Sequence, residues 1–201
     1  MCLPVRGVIW PERHRDYLSD ALLVAGFPVE TAAQYTHLIS ALWAEPEREP
    51  KYLALGLARR RRQFHALPQL PLFTRMIVQG ASWDLVDDIA VNMVGDTLRS
   101  DPATVWAHID PFVESDDTWL RRTAIICQLK PKGDTDVDRL FDFCERTVHE
   151  KEFFIRKAIG WALREYAKTD PDAVAGFVLE NREDLSGLSV REATKHIGSL
   201  W

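Results

Sequence analysis

Apolar side chains recur at the three- and four-residue spacing of an amphipathic helix along almost the whole chain. Alternating β-branched runs bounded by turn residues, which would predict strands, are absent. Capping residues, glycine and proline divide the pattern into segments with short connections, so neighbouring helices should run antiparallel. The predicted helices cover residues 20–26, 28–43, 47–64, 70–78, 82–99, 102–112, 115–129, 136–148, 151–167, 171–181 and 189–200.

Several of the predicted helix starts carry residues that cap a helix. Asp101-Pro102 and Asp170-Pro171 each combine a capping aspartate with a proline suited to the first turn. Ser82 precedes an acidic first turn, which complements the positive end of the helix dipole. Either Ser115 or Asp116 is predicted to cap the helix that follows them.

Trp83, Arg122 and Trp161 are evenly spaced, with 39 residues from each to the next. A period of roughly 40 residues containing two helices is typical of HEAT-type repeats, whose helix pairs stack into a superhelix with a concave surface. We therefore predict an all-α fold, a right-handed superhelix of antiparallel helix pairs that forms a HEAT-like repeat solenoid. A length of 201 residues suits a single domain over 1–201.

Composition and motifs exclude several classes of protein. The longest apolar runs, such as 21–25 and 124–127, are far too short to span a bilayer, and no signal peptide is evident. Cys2, Cys127 and Cys144 have neither zinc-site nor redox-pair spacing, and the apolar run around Cys127 predicts its burial. The six histidines are dispersed and no nucleotide-binding motif is present, so we expect no metal and no cofactor. A cytoplasmic monomer is expected.

The formal net charge of −5 argues against nucleic acid as a partner, but only one face of a protein needs to be basic. The run from Arg59 to Arg62 either lies at a solvated helix end, where cations suit the dipole, or contacts a DNA backbone. Arg121 and Arg122 come near a helix start, where cations oppose the dipole and need acids or an external anion. Asp116 and Asp117 can neutralise one of them.

A mixed cationic and aromatic stripe runs along the predicted helix 151–167. Its members are Lys157, Trp161, Arg164 and Lys168. Cations around a large ring are typical of surfaces that face the phosphates and bases of a nucleic acid. The alternative is that Trp161 lies at the edge of the core with lysine stems packed on it.

Trp83 and Asp87 are four residues apart and share one face of the predicted helix 82–99, where the ring and the carboxylate can address the same ligand. The alternative is a core tryptophan beside a solvated acidic first turn, which the helix dipole favours without any ligand. The residues that suit the core on the opposite side are Leu85, Val86, Ile89, Ala90, Met93 and Val94.

The chain contains four groups of segments, in order over roughly residues 35–200: 41–43 with Glu49 and 53–55, then 83–87, then 119–125, and last 153–164. In the order and spacing of these segments it resembles the DNA alkylation repair family of AlkD-like glycosylases. The last group, Phe-Phe-Ile-Arg-Lys-Ala-Ile-Gly-Trp-Ala-Leu-Arg at 153–164, is the most specific. The fold that this resemblance implies is the HEAT-like superhelix.

The resemblance also implies a function and a set of site residues. The family excises cationic alkylated purines, chiefly 3-methyladenine and 7-methylguanine, from duplex DNA without flipping the lesion into a pocket. By resemblance, Trp83 and Trp161 flank the deoxyribose of the damaged nucleotide, and Asp87 is the catalytic carboxylate. The implied contacts to the DNA backbone are Arg122, Lys157 and Arg164.

Two features depart from the family pattern. Residues 4–8 match its early segment only loosely, so we expect shortened or altered leading helices, which in the family help to clasp DNA. The acidic net charge predicts weaker and more salt-sensitive DNA binding. The alternatives to a glycosylase are a non-catalytic HEAT-like module that binds DNA or protein, and an unrelated helical interaction protein. A pure scaffold has no need for Trp83, Asp87, Arg122 and Trp161 together.

Overall fold

The computed structural model describes residues 29–130 and 132–197, and within these ranges every regular element is a helix and no strand occurs. The predicted all-α class is thereby confirmed. The chain divides into two compact units, Met1–Phe64 and His65–Trp201. The right-handed superhelical arrangement and the single-domain organisation stay predictions.

In the first unit, helix α1 (Ala32–Ala44) begins at a capping box. The Thr31 hydroxyl accepts a hydrogen bond from the Gln34 amide at 3.2 Å, and the Gln34 side chain accepts one from the Thr31 amide at 3.0 Å. Two backbone donors at the helix start are satisfied in this way. The cap explains why the helix begins later than the predicted residue 28, which lies outside the described residues together with the predicted helix 20–26.

Helix α2 (Arg48–Arg60) packs against α1 and is followed by a 3-10 turn at Arg62–Phe64. Arg59 and Arg60 lie in its last turn, which agrees with the helix-end interpretation of the arginine run. The side chains that α1 buries are spaced four residues apart, as expected for the apolar face of a helix. They are Tyr35, Ile39 and Trp43.

The second unit contains the predicted site residues. Its first long helix, α3 (Leu70–Gly80), ends at Ala81, whose φ of 40° places it in the left-handed region. A π-helical stretch interrupts the next helix, and such stretches are rare and frequently lie near functional sites. The predicted helix 82–99 is thus a continuous helical rod in three parts: α4 (Trp83–Asp88), the π-helical stretch (Ile89–Val94) and α5 (Gly95–Ser100).

Six further helices complete the described part of the second unit. The last of them begins two residues earlier than predicted, and its predicted end at Leu200 lies outside the described residues. None of the helices in the described ranges is long and apolar enough to cross a membrane. The six are α6 (Pro102–Ile109), α7 (Thr118–Ile126), α8 (Val137–Arg146), α9 (Phe153–Tyr166), α10 (Pro171–Glu180) and α11 (Gly187–Ala193).

The capping aspartates predicted before prolines are confirmed. Asp101 and Asp170 accept hydrogen bonds from the backbone amide three residues further on, at 3.3 Å and 2.9 Å respectively. In both helices the proline occupies the first helical position, where its missing N–H would have had no intrahelical partner in any case.

Two other predicted caps are wrong. Ser82 makes no capping hydrogen bond, because its hydroxyl donates instead to the Asp84 carboxylate at 2.6 Å. Helix α7 is capped by Asp117 rather than by Ser115 or Asp116, since the Asp117 carboxylate accepts from two backbone amides at 2.8 and 3.0 Å. The Ser115 hydroxyl accepts from the Asp117 amide and so supports the cap from outside the helix.

Helix α7 connects the helices that carry the predicted site, because it packs against α3, α4, the π-helical stretch and α9. Helix α9 packs in turn against α8, α10 and α11. The predicted burial of Cys127 is confirmed, and burial raises the pKa of its thiol to about 12. Cys144 is also buried, which raises the pKa of its thiol as well, whereas Cys2 lies outside the described residues.

Candidate functional site

Asp87 on α4 and Arg122 on α7 form a two-point ion pair. The Arg122 Nε donates to Asp87 Oδ1 and its Nη2 donates to Oδ2, both at 2.7 Å. A third hydrogen bond runs from Nη1 to the backbone carbonyl of Phe154 at the start of α9, at 2.5 Å. Because a bidentate arginine–carboxylate contact fixes the plane of the carboxylate, this arrangement orients Asp87 and links three helices.

The Asp87–Arg122 pair is buried on the arginine side and accessible on the carboxylate side. The Arg122 side chain is 4% exposed and the Asp87 side chain is 16% exposed. Each Asp87 oxygen accepts one of these N–H donors and retains a second lone pair. Asp87 therefore offers a fixed, water-accessible carboxylate, while Arg122 holds it. The implied contact between Arg122 and a backbone phosphate stays a prediction.

Trp83 lies on the first turn of α4, one helical turn before Asp87, and its side chain is 55% exposed. The alternative interpretation of Trp83 as a core residue is therefore wrong. The accompanying expectation of a fully solvated carboxylate is also wrong for Asp87, which is paired with a buried arginine. The indole is thus available to a ligand on the helical face that it shares with Asp87.

Arg121, the neighbour of Arg122, pairs with a different carboxylate. Its Nε and Nη2 donate to the two oxygens of Glu150 at 2.8 and 3.0 Å. Both arginines near the start of α7 are therefore neutralised by acids that are distant in sequence. Neutralisation by Asp117 is not the observed arrangement, because that carboxylate caps the helix.

Trp161 is half-buried on α9, and the cations on either side of it share one carboxylate, Glu192 of α11. Lys157 Nζ donates to Glu192 Oε1 at 2.8 Å, and Arg164 Nη1 donates to Oε2. Lys195 Nζ, from the turn after α11, donates to both oxygens at 2.8 and 2.9 Å. The hydrogen bonds from Lys157 and Lys195 lower the pKa of Glu192 to about 2, against the opposing effect of its burial. These four charged residues are the Glu192 cluster.

Lys168 does not continue the predicted stripe. Helix α9 ends at Tyr166, and Lys168 lies in the turn beyond it, where its Nζ donates to Glu165 Oε2 at 2.6 Å. The half-buried ring of Trp161 agrees with the core-edge interpretation, yet the three cations of the Glu192 cluster beside that ring share a single carboxylate. The surface beside Trp161 is consequently positive, as a phosphate-facing surface requires.

Glu192 and Lys195 were missed by the sequence-based reasoning. The sequence signal that relates to them is Gly160, which lies against Glu192. A Cβ added to Gly160 would lie 2.5 Å from the Glu192 Cβ and 2.9 Å from the Ser189 carbonyl oxygen. Only glycine therefore lets α9 and α11 approach closely enough to place the carboxylate under the lysines. A glycine within an apolar helical segment indicates such an approach but does not identify the partner helix.

Two aromatic residues open α9 next to the Asp87–Arg122 pair. The Phe154 ring packs against Trp119 of α7 with a centroid distance of 4.9 Å, and its carbonyl holds Arg122. Phe153 is 55% exposed and contacts the Phe154 ring edge-on at 5.4 Å. Phe153 thus presents a second exposed ring at the start of α9, one residue before the carbonyl that holds Arg122, and the sequence-based reasoning did not single it out.

The structure joins the predicted residues into two groups on neighbouring helices. The first is the Asp87–Arg122 pair with Trp83, and the second is the Glu192 cluster with Trp161. The helices that carry Trp83 and Trp161, α4 and α9, both pack against α7. Within the described residues no group of three histidine, cysteine or acidic side chains could hold a metal ion. A groove of about 610 Å³ lies elsewhere, and its lining includes Leu70, Val78, His108 and Phe112.

Comparison with known proteins identifies the family to which this chain belongs. The model of the family described as "DNA alkylation repair enzyme" matches residues 11–197. A solved structure described as a "predicted DNA alkylation repair enzyme from Enterococcus faecalis" is 32% identical, with a TM-score of 0.83 over 94% of this chain and 87% of that one. No curated protein matches the chain. The chain belongs to the DNA alkylation repair enzyme family and has a role in DNA repair.

Proposed function

We propose that the protein is a DNA glycosylase that hydrolyses the N-glycosidic bond of cationic alkylated purines in duplex DNA. The substrates are 3-methyladenine and 7-methylguanine, and the lesion is not flipped into a pocket. The observation that carries this proposal is the Asp87 carboxylate, held at both oxygens by buried Arg122, one helical turn from the exposed ring of Trp83. Family membership and the implied roles of these residues support the same activity.

The chemistry needs one well-placed carboxylate and no separate acid. Alkylation gives the purine a positive charge, so the base can leave with the electron pair of the glycosidic bond without being protonated. Positive charge then develops on the deoxyribose, as it does in glycoside hydrolysis. Water adds to C1′ and loses a proton, which yields an abasic deoxyribose and a neutral free base.

Asp87 can serve both parts of this step. A fixed anion near C1′ stabilises the charge that develops on the sugar, and preorganisation makes such stabilisation effective because no reorientation is required. The lone pairs that Arg122 leaves unused can orient the attacking water and accept its proton. Arg122 acts in this scheme by positioning Asp87, since three of its donors are already engaged in the free protein.

Trp83 and Trp161 would flank the sugar. The electron-rich faces of two indole rings stabilise a cationic sugar by cation–π interactions of about 1–2 kcal/mol each when water is excluded. The exposure of Trp83 suits this role, because a ring that is already in the core could not move onto a nucleotide. The net positive surface of the Glu192 cluster lies beside Trp161, where the DNA backbone would approach.

The test is the release of 7-methylguanine from a methylated duplex oligonucleotide, quantified by chromatography of the free base. We expect release by the wild-type protein and essentially none by Asp87→Asn. Absence of release by the wild-type protein, when it is folded and binds duplex DNA, would favour the alternative of a non-catalytic HEAT-like DNA-binding module. Binding to neither damaged nor intact duplex would favour a protein-binding module instead.

A further inference from the structure

The Glu192 cluster combines a buried anion with two exposed lysines and a half-buried arginine. The Glu192 side chain is 9% exposed, whereas those of Lys157 and Lys195 are 39% and 49% exposed. An approaching group therefore meets the ammonium groups before it reaches the carboxylate. Arg164 also lies 3.9 Å from a second carboxylate, that of Glu165, but among the described residues Lys157 and Lys195 both pair with Glu192 alone, so the cluster retains a net positive charge at neutral pH.

The carboxylate also determines how close the cations lie to each other. Lys157 Nζ and Lys195 Nζ both lie 2.8 Å from Glu192 Oε1, so they are no further apart than twice that distance. Like charges at such a separation repel, and a shared carboxylate between them offsets the repulsion. A single phosphate group can bridge two ammonium groups at this spacing with two of its oxygens.

The cluster lies on the face of α9 that carries Trp161. Lys157 comes four residues before Trp161 and Arg164 comes three residues after it, and these spacings place all three on one side of the helix. Lys195 reaches that face from the turn after α11, because Gly160 allows α11 to approach α9. Cations from two separate elements thus converge around one half-buried indole.

We propose that Lys157, Arg164 and Lys195 form a phosphate-binding cluster beside Trp161 and that Glu192 is its positioning residue. The ligand is the DNA backbone phosphate next to the nucleotide that Trp161 contacts. This inference rests on the proposed function, because it names the backbone contacts of the same site. It assigns Lys195 as a DNA contact and gives Glu192 a role in binding although its charge opposes that of DNA.

The first experiment measures binding to a fluorescein-labelled duplex oligonucleotide that carries a tetrahydrofuran abasic site, over a series of NaCl concentrations. Lys195→Ala should raise the Kd about tenfold and lower the slope of log Kd against log [NaCl] by about 0.9, the value for one phosphate contact. Lys195→Arg should restore both values, since arginine keeps the charge and can also bind phosphate.

Lys168→Ala is the matched control for this experiment. The Lys168 and Lys195 side chains are equally exposed, at 49%, and each pairs with a glutamate three residues away. Removing either one changes the net charge by the same amount, yet only Lys195 belongs to the Glu192 cluster. We expect Lys168→Ala to change the Kd by less than about twofold. An equal effect of the two variants would overturn the inference.

Glu192→Gln tests the positioning role by the sign of its effect. If only total charge mattered, removing an anion from a DNA-binding surface would tighten binding and steepen its salt dependence. Positioning predicts the opposite, a Kd raised about fivefold or more, because the repelling cations separate without the shared carboxylate. Tighter or unchanged binding by folded Glu192→Gln would remove Glu192 from this role. Should that variant fail to fold, the comparison of Lys195→Ala with Lys168→Ala independently decides whether the cluster binds phosphate.

The same preparations assayed for release of 7-methylguanine separate this inference from the proposed function. Release by the wild-type protein, with binding that is insensitive to Lys195→Ala, would overturn the inference alone. Duplex binding that depends on Lys195 without any release would overturn the glycosylase proposal alone. A wild-type protein that does not bind the duplex would overturn both.

Discussion

Replacing Asp87 by asparagine keeps the shape of the side chain but removes its charge and one of its acceptor oxygens. The asparagine amide then faces an N–H of Arg122, so that one buried hydrogen bond is lost and a guanidinium that is 4% exposed lacks its counterion. Breaking a buried ion pair from one side costs about 3–5 kcal/mol. Because Asp87 is 16% exposed and asparagine still accepts one hydrogen bond, we expect a cost of about 2–3 kcal/mol.

This loss of stability is too small to explain a loss of activity. A domain with about 5 kcal/mol of unfolding free energy, the low end of the usual range, would retain about 2 kcal/mol and remain about 97% folded. The melting temperature should fall by roughly 5–10 °C. Loss of a preorganised group that stabilises the developing charge should lower excision by about 10²–10³-fold. The sequence alone predicts that Asp87→Asn leaves the fold intact. The Asp87–Arg122 ion pair in the structure adds the expectation that this variant loses some stability.

Glu150→Gln is the matched control, because it disrupts the neighbouring bidentate pair on α7. The side chains of Arg121 and Glu150 are 18% and 25% exposed, so we expect a smaller cost of about 1–2 kcal/mol. Release of 7-methylguanine, measured at 25 °C in single-turnover conditions, should be unchanged in this variant. Wild-type release by Asp87→Asn would refute the catalytic role of Asp87. Equal losses in both variants would mean that the packing of α7, and not the carboxylate, limits activity.

Three further predictions concern Trp83, Glu192 and Gly160. Trp83→Ala should slow excision about 5–30-fold, as expected for a lost cation–π contact. Because the ring is 55% exposed, the melting temperature should stay within about 2 °C of the wild type. A large fall in melting temperature would indicate a structural role for Trp83. Because the pKa of Glu192 is lowered in the folded protein, its charge stabilises the fold above its unfolded pKa of about 4.3, and this stability is lost as the pH falls towards 2. Between about pH 5 and pH 2 the melting temperature of Glu192→Gln should therefore fall less steeply than that of the wild type. Parallel curves of melting temperature against pH would contradict the lowered pKa of Glu192. Gly160→Ala should lower the free energy of unfolding by about 2–3 kcal/mol, because its added Cβ meets α11. Gly176→Ala, whose added Cβ has no atom within 4 Å, should raise it by about 0.5–1 kcal/mol, as measured by denaturant unfolding. Similar values for the two variants would contradict the steric role of Gly160.

The amino-acid sequence was sufficient for the local features of this protein. Among the described residues, the helices were predicted because their apolar periodicity and most of their capping residues lie within a few positions of each other, as at Asp101 and Asp170. Burial of Cys127 followed in the same way from its apolar neighbours. Local reasoning failed where two local partners competed, as at Ser82, whose hydroxyl binds the carboxylate of Asp84 instead of capping the helix.

Only the tertiary structure decides which charges meet. Sequence spacing places Asp87 on a face with Trp83, but the pairing of Asp87 with Arg122 spans 35 residues and depends on how α4 packs against α7. The choice of Glu150 by Arg121, and of Glu192 by the cations beside Trp161, likewise depends on packing between helices that no local pattern encodes. Helical periodicity determines the face on which a side chain lies, whereas its partner is set by the close approach of whole helices, which at α9 and α11 requires the missing Cβ of a single glycine.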